Sequence, residues 1–216
     1  MTPETQLVIL AASWMIYGAL HSLLAADRIK QLVSNAFPAG HRAYRLIYNL
    51  LAGILLLIPL WLMARYPGDP LWHWPGPLRW FMDGAAIAAI AGFAFSLRMY
   101  DNAEFLGLGQ LSCPAGEIRK IPPMSISTPH RFVRHPWYFY GLVILWTREM
   151  NAALLISAIV ITLYLVIGSR LEERKLVRCY GEAYRAYQRQ VPALIPLPWR
   201  FLTRSQADAI LKLANQ

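Results

Sequence analysis

Three stretches of this chain run for nineteen or twenty residues without an Asp, Glu, Lys or Arg: Leu7 to Ala26, Leu46 to Ala64 and Met150 to Ser169. At about 1.5 Å per residue, each makes a helix of roughly 30 Å, the thickness of a bilayer's hydrocarbon core. Trp80 to Leu97 is a fourth candidate, with Asp83 near its start. Pro136 to Thr147 is a fifth, and it is short. As a helix it covers about 18 Å, so it either begins earlier or enters the bilayer without squarely crossing it. Only 15% of residues are charged, against about 25% in soluble domains. The expected fold class is all-α: a single polytopic membrane domain, residues 1–216, with about five transmembrane helices. The opening MTPETQ lacks the positive n-region of a cleavable signal peptide, so the first run reads as a retained helix.

A net charge of +9 could suggest nucleic acid, but its distribution excludes that reading. With five helices the connections alternate sides, and eighteen of the 21 Lys and Arg residues then share one side, leaving Arg65, Arg79 and Arg148 opposite. Positive residues accumulate in the cytoplasm. The pattern predicts an external N-terminus, a cytoplasmic C-terminus and basic contacts with anionic headgroups, with membrane lipids as partners. Cys113 and Cys179 both fall on the cytoplasmic side, without CxxC spacing, and read as free thiols. The five His residues show no zinc-ligand spacing, so no metal is expected.

Along the chain, AADRIK closes the first helix and a short basic loop with a Pro-Ala-Gly turn follows. RYPGDPLWHWPGPLRW is a turn-rich loop with three Trp, suited to a membrane interface. Residues 98 to 134 form the longest polar stretch, with little helical period. The last two membrane segments are separated by REMN and should form a helical hairpin. After Arg170, Val177, Tyr180, Tyr184, Tyr187 and Val191 recur at spacings of 3 and 4, predicting a cytoplasmic amphipathic tail helix.

Two clusters carry chemistry. RHPWYFYG, from Arg134, sets two basic side chains just before a proline that suits the first turn of a helix. One reading is a basic flank at the membrane surface. The other is an anion site, built from the side chains and the free N–H groups of the helix start. The second cluster is SRLEERKL, where Glu172 and Glu173 follow the last membrane run. Neighbouring Arg170, Arg174 and Lys175 could merely neutralise them, or a carboxylate could accept hydrogen bonds from a ligand hydroxyl or ammonium. Hairpin geometry brings the two clusters face to face. Cationic donors opposite carboxylates suit a zwitterionic ligand.

RHPWYFYG, then EERKL, then YGEAYRAYQRQVPALIP resembles the C-terminal pattern of the isoprenylcysteine carboxyl methyltransferase and phospholipid methyltransferase superfamily, over residues 105–196. DNAEFLGLGQL, WTREMNAALL and HSLLAADRIK look like its bacterial branch, which includes methanethiol S-methyltransferases and denitrification-associated membrane proteins. The resemblance implies an integral enzyme of the bacterial inner membrane that transfers a methyl group from S-adenosylmethionine to a small or lipophilic acceptor, a thiol or carboxylate favoured. It implies three N-terminal helices in 1–97 and a cofactor-binding half in 98–216. His135, Pro136, Trp137 and Tyr138 carry over as cofactor contacts, with Glu172 as the carboxylate that holds the cofactor and Glu173 beside it. The upstream loop adds Gln110 and the Pro123 to Ser125 stretch, Met124 and Ser125 included. His130 stands where the family often has Tyr, and joins the cofactor set. No catalytic residue follows from the pattern, and Arg170 and His130 are the candidates.

Ionisable and polar groups within membrane helices mark function by default, so His21 and Asn49, with Arg170, are candidates for the acceptor site. His21 could equally be a packed side chain bonded to a neighbouring helix. No obligatory protein partner is implied. Two other classes compete: a membrane reductase of the sterol-reductase type that binds NADPH, and a membrane scaffold without catalysis.

Overall fold

The structure, a computed structural model, describes residues 1–37, 41–99, 102–111 and 123–214, without the side chains of residues 41, 102, 104 and 110. It is mostly helical, and the long elements sit where the uncharged runs lie. Helix α1 is Pro3–Ala25, α3 is Tyr44–Arg65, α4 is Pro77–Leu97 and α8 is Ala152–Gln190. These four are long and apolar enough to cross a membrane. They are apolar around most of their circumference and bury little of it within the protein, which is the pattern of a helix whose solvent is lipid.

The fifth stretch is α7, Pro136–Trp146, only 11 residues long. At about 16 Å it is too short to span the hydrocarbon core alone. So four helices, rather than five, have the length of a span among the described residues.

Three connections differ from the sequence reading. The segment after α1 is a helix, α2 (Asp27–Ala36), with Asp27 in its first turn. The region read as an irregular polar stretch opens with two short helices, α5 (Asn102–Leu106) and α6 (Leu108–Leu111). The Trp-rich loop forms β1 (Pro70–Trp72), paired antiparallel with β2 (Met150–Asn151), which takes the first two residues of the uncharged run Met150 to Ser169. A further helix, α9 (Arg204–Ala214), follows the Pro-rich end of the tail.

The chain divides into two compact units. The first comprises residues 1–75, 100–118 and 149–161. In it α1 packs on α3, and Leu10, Trp14 and Ala153 form a core flanked by Tyr17, Leu56 and Met63. The Trp14 indole donates to Ser157 Oγ at 2.8 Å in that core. The α5 segment is tied to α3, because Arg45 Nε donates to the Phe105 carbonyl and Asn49 Nδ2 to those of Phe105 and Leu106.

The second unit comprises residues 76–99, 119–148 and 162–216. Helix α4 packs along α7, and the approach is close at Gly92, where an added Cβ would stand 2.8 Å from the Tyr140 ring. Trp137 Nε1 donates to the buried Ser96 Oγ. A second core gathers Tyr184, Tyr187, Val191, Leu202, Ala207 and Ile210, so α9 covers the tyrosine face of the tail. Within α8, Gly181 has φ +57° and ψ −130°, a conformation open essentially to glycine alone. It breaks the helix and re-aims the segment carrying Tyr184 and Tyr187.

Candidate active site

The second unit builds the site, starting from one turn. His135 precedes α7 in a non-helical conformation, φ −122° and ψ 72°, and Pro136 fills the helix's first position. Backbone bonds fix this turn from outside: the Arg134 N–H donates to the Pro192 carbonyl and the His135 N–H to that of Ala193. Arg131 adds a reciprocal pair with Leu202, donating through Nε and accepting the Leu202 N–H at its carbonyl. The Val-Pro-Ala segment after α8 is thus a brace for the Arg-His-Pro turn.

What the turn presents is a saturated carboxylate. Arg134 grips Glu173 with two bonds, Nε to Oε1 at 2.7 Å and NH2 to Oε2 at 3.0 Å. His135 Nε2 lies 3.0 Å from Oε1, and Gln188 Nε2 donates to Oε2 at 2.8 Å. Each Glu173 oxygen therefore has two partners. Arg134 NH1 meanwhile donates to the carbonyls of Gln188 and Val191, which lack helical partners at the end of α8. The side chains of His135, Arg134 and Glu173 are nearly buried. Burial alone would raise the pKa of Glu173. The hydrogen bonds from His135 and Arg134, the Arg134 charge and the Gln188 bond outweigh it, lowering the pKa to about 2.

The anion facing the two basic residues is thus the protein's own Glu173. That fills the site which the helix start and the basic pair could have offered to a ligand.

Glu172 is different. Its side chain is 50% exposed, and its contacts are long: His135 Nδ1 at 3.5 Å and the Tyr138 hydroxyl at 3.4 Å. Tyr138 lies flat against the His135 ring, centroids 5.2 Å apart and planes 9° apart. So Glu173 holds the turn together, while Glu172 keeps acceptor capacity beside an aromatic step.

The other sequence candidates separate around this arrangement. Pro136 is buried at the helix start and Trp137 is turned to Ser96. His130 Nδ1 is 2.7 Å from Ser127 Oγ, and the His130 carbonyl accepts the Tyr187 hydroxyl. Burial, with the nearby His135, lowers the His130 pKa to about 4, so the ring is neutral at pH 7. Met124 packs on the tyrosine core, whereas Ser125 is exposed. Arg170 is exposed and lines a cleft with Glu173, Arg174, Val177, Arg178 and Gln188. The Gln110 side chain and Cys113 lie outside the described residues.

In the first unit, His21 meets the Tyr48 hydroxyl at 2.9 Å and stands among the Tyr17 and Tyr48 rings. Asn49 spends its amide on the Phe105 and Leu106 carbonyls. Sequence reasoning missed Gln188 and the Pro192–Ala193 brace. Their only signal was the Val-Pro that ends the tail helix.

No protein-family model matches the chain, and no solved structure matches it. Curated relatives do. The chain is 30% identical over 197 residues to methanethiol S-methyltransferase 2 of Bradyrhizobium diazoefficiens, which covers 89% of this chain and 73% of the relative. It is 31% identical over 193 residues to methanethiol S-methyltransferase of Pseudomonas deceptionensis, covering 84% and 69%. A cyanobacterial relative from Crocosphaera subtropica, also named methanethiol S-methyltransferase, is 29% identical over 193 residues, with 84% and 71% covered. Shared identity at this level over most of both chains, together with four helices of membrane-spanning length, places the protein in the methanethiol S-methyltransferase family, within the isoprenylcysteine carboxyl methyltransferase-like group.

Proposed function

We propose that this membrane methyltransferase uses S-adenosylmethionine and methylates a small thiol; the thiol acceptor is what the names of its relatives say of them. The observation that carries the reading is the contrast between the adjacent carboxylates, Glu173 saturated and Glu172 half exposed.

That contrast fits the cofactor. A zwitterion with ribose hydroxyls needs a carboxylate acceptor that is not already spent, and Glu172 has that capacity. The flat pair of His135 and Tyr138 offers an aromatic surface beside it. Glu172, His135 and Tyr138 would hold the cofactor, and Arg134, Glu173 and Gln188 would hold them in place. When bound, the cofactor supplies a methyl group already activated by a positively charged sulfur. The protein then has to orient the two sulfur atoms in line and keep water out. A thiolate is charged before attack and neutral after it, so an apolar setting favours the transfer.

In this reading the C-terminal tail lies in the cytoplasm, where the cofactor is made, and the N-terminus lies outside the inner membrane. The support is the one-sided distribution of Lys and Arg. The α7 segment would be a fifth, partial crossing.

Incubating purified protein with methyl-labelled S-adenosylmethionine and methanethiol tests the proposal. Labelled dimethyl sulfide is expected. Transfer to isoprenylcysteine or phospholipid acceptors in place of methanethiol would refute the thiol assignment.

A further inference from the structure

The cleft beside Glu173 has a cavity volume of about 480 Å³. Three of its six lining residues are arginines, Arg170, Arg174 and Arg178, and all three are exposed. None of them has a hydrogen-bond or ion-pair partner among the described residues. The acidic group in the cleft, Glu173, is fully engaged by Arg134, His135 and Gln188, so it does not neutralise them. The cleft is therefore a concentration of guanidinium groups that have no partner among the described residues.

Its position on α8 matters as much as its charge. Arg170 is the first charged residue after the uncharged run that ends at Ser169. It therefore sits where the hydrocarbon core gives way to the headgroup layer. Leu163 and Ile167 below it and Leu171 beside it are each more than half exposed. At 3.6 residues per turn, these three and the three arginines fall within an arc of about 100° on one helix face. One face of α8 thus changes from apolar to basic within a single turn. Arg170 and Arg174 are about 6 Å apart along the axis, comparable with the roughly 5–7 Å depth of a headgroup layer. Val177 adds apolar surface to the cleft wall.

We propose that this face holds one anionic glycerophospholipid, with its phosphate in the Arg170, Arg174 and Arg178 cleft and an acyl chain along Leu163, Ile167 and Leu171. A lipid phosphodiester can accept forked bonds from guanidinium groups through its two unesterified oxygens. The same phosphate chemistry could come from a soluble phosphate, and only the apolar ridge distinguishes the sources.

The test is native mass spectrometry of the full-length protein, titrated with phosphatidylglycerol, with phosphatidylcholine and separately with inorganic phosphate. Wild type is compared with an Arg174→Gln/Arg178→Gln variant. A single Arg178→Gln provides a graded reading if the pair folds poorly. The expected result is one saturable phosphatidylglycerol, bound at least tenfold more weakly by the double variant and not displaced by millimolar inorganic phosphate. Arginine-dependent binding of inorganic phosphate without lipid selectivity would overturn the lipid assignment. Equal phosphatidylglycerol binding by wild type and variants would overturn the site. S-adenosylmethionine binding, measured on the same samples, separates this outcome from a failure of the methyltransferase reading.

Discussion

Removing Glu173 should cost stability, and removing Glu172 should not. Glu173→Ala leaves the Arg134 guanidinium, only 10% exposed, without its carboxylate. It also strips Gln188 and His135 of their acceptor. Breaking one side of a buried ion pair costs about 3–5 kcal/mol, because the surviving charge is left uncompensated. At about 2–4 °C per kcal/mol for a chain of this size, the thermal midpoint should fall by roughly 6–20 °C. Glu172→Ala removes two long contacts from a half-exposed side chain, a loss of at most about 1 kcal/mol. Tryptophan fluorescence of both variants in one detergent, followed on heating, gives the comparison. Equal losses, or the larger loss at Glu172, would refute the assignment of Glu173 as the structural member of the pair.

Other outcomes follow from the same geometry. Acidification should destabilise the protein in two stages. Below pH 6.5 His130 protonates more readily in the unfolded chain than in the fold, where its pKa is about 4, so stability falls between those values and His130→Gln should flatten that stage. Glu173, held near 2 against 4.5 unfolded, contributes stability above about pH 4.5 that is lost as pH falls toward 2. A pH series of thermal midpoints that rises on acidification would contradict both. Gly181→Ala forces a side chain into a conformation with φ +57°. It should cost about 1–3 kcal/mol, read as a lower midpoint with weaker cofactor binding, because Gln188, which bonds Glu173, lies on the segment that moves. Gly92→Ala should push α4 from α7 at the Tyr140 ring, costing about 1–3 kcal/mol as overpacking, and Tyr140→Leu should relieve it in the double variant.

The long helices were legible because a bilayer imposes a one-dimensional rule. A segment of about twenty residues without charge has few other solvents, and α1, α3, α4 and α8 follow that rule. Helix α2 was read as a loop because its ten residues mix charge with apolar positions and lie beside a turn signal. The β1–β2 ladder joins residues about eighty positions apart through two residue pairs, which no local pattern announces. Helix α9 follows a Pro-rich stop that reads as the end of order, and it forms because Ala207 and Ile210 cover the tyrosine core. At the site, the residue types and their convergence were visible in RHP and EE. The division of labour between Glu172 and Glu173 was not. Adjacent residues on a helix point about 100° apart, and only the position of Arg134 and Gln188 decides which one is buried.

The central claim is that Glu172, His135 and Tyr138 form a site for S-adenosylmethionine, and isothermal titration of the detergent-solubilised protein tests it most directly. The account predicts micromolar binding of S-adenosylmethionine or S-adenosylhomocysteine by wild type, weakened at least tenfold in Glu172→Ala while the thermal midpoint falls by no more than about 4 °C. Folded wild-type protein that binds neither ligand, or that binds NADPH instead, would contradict it.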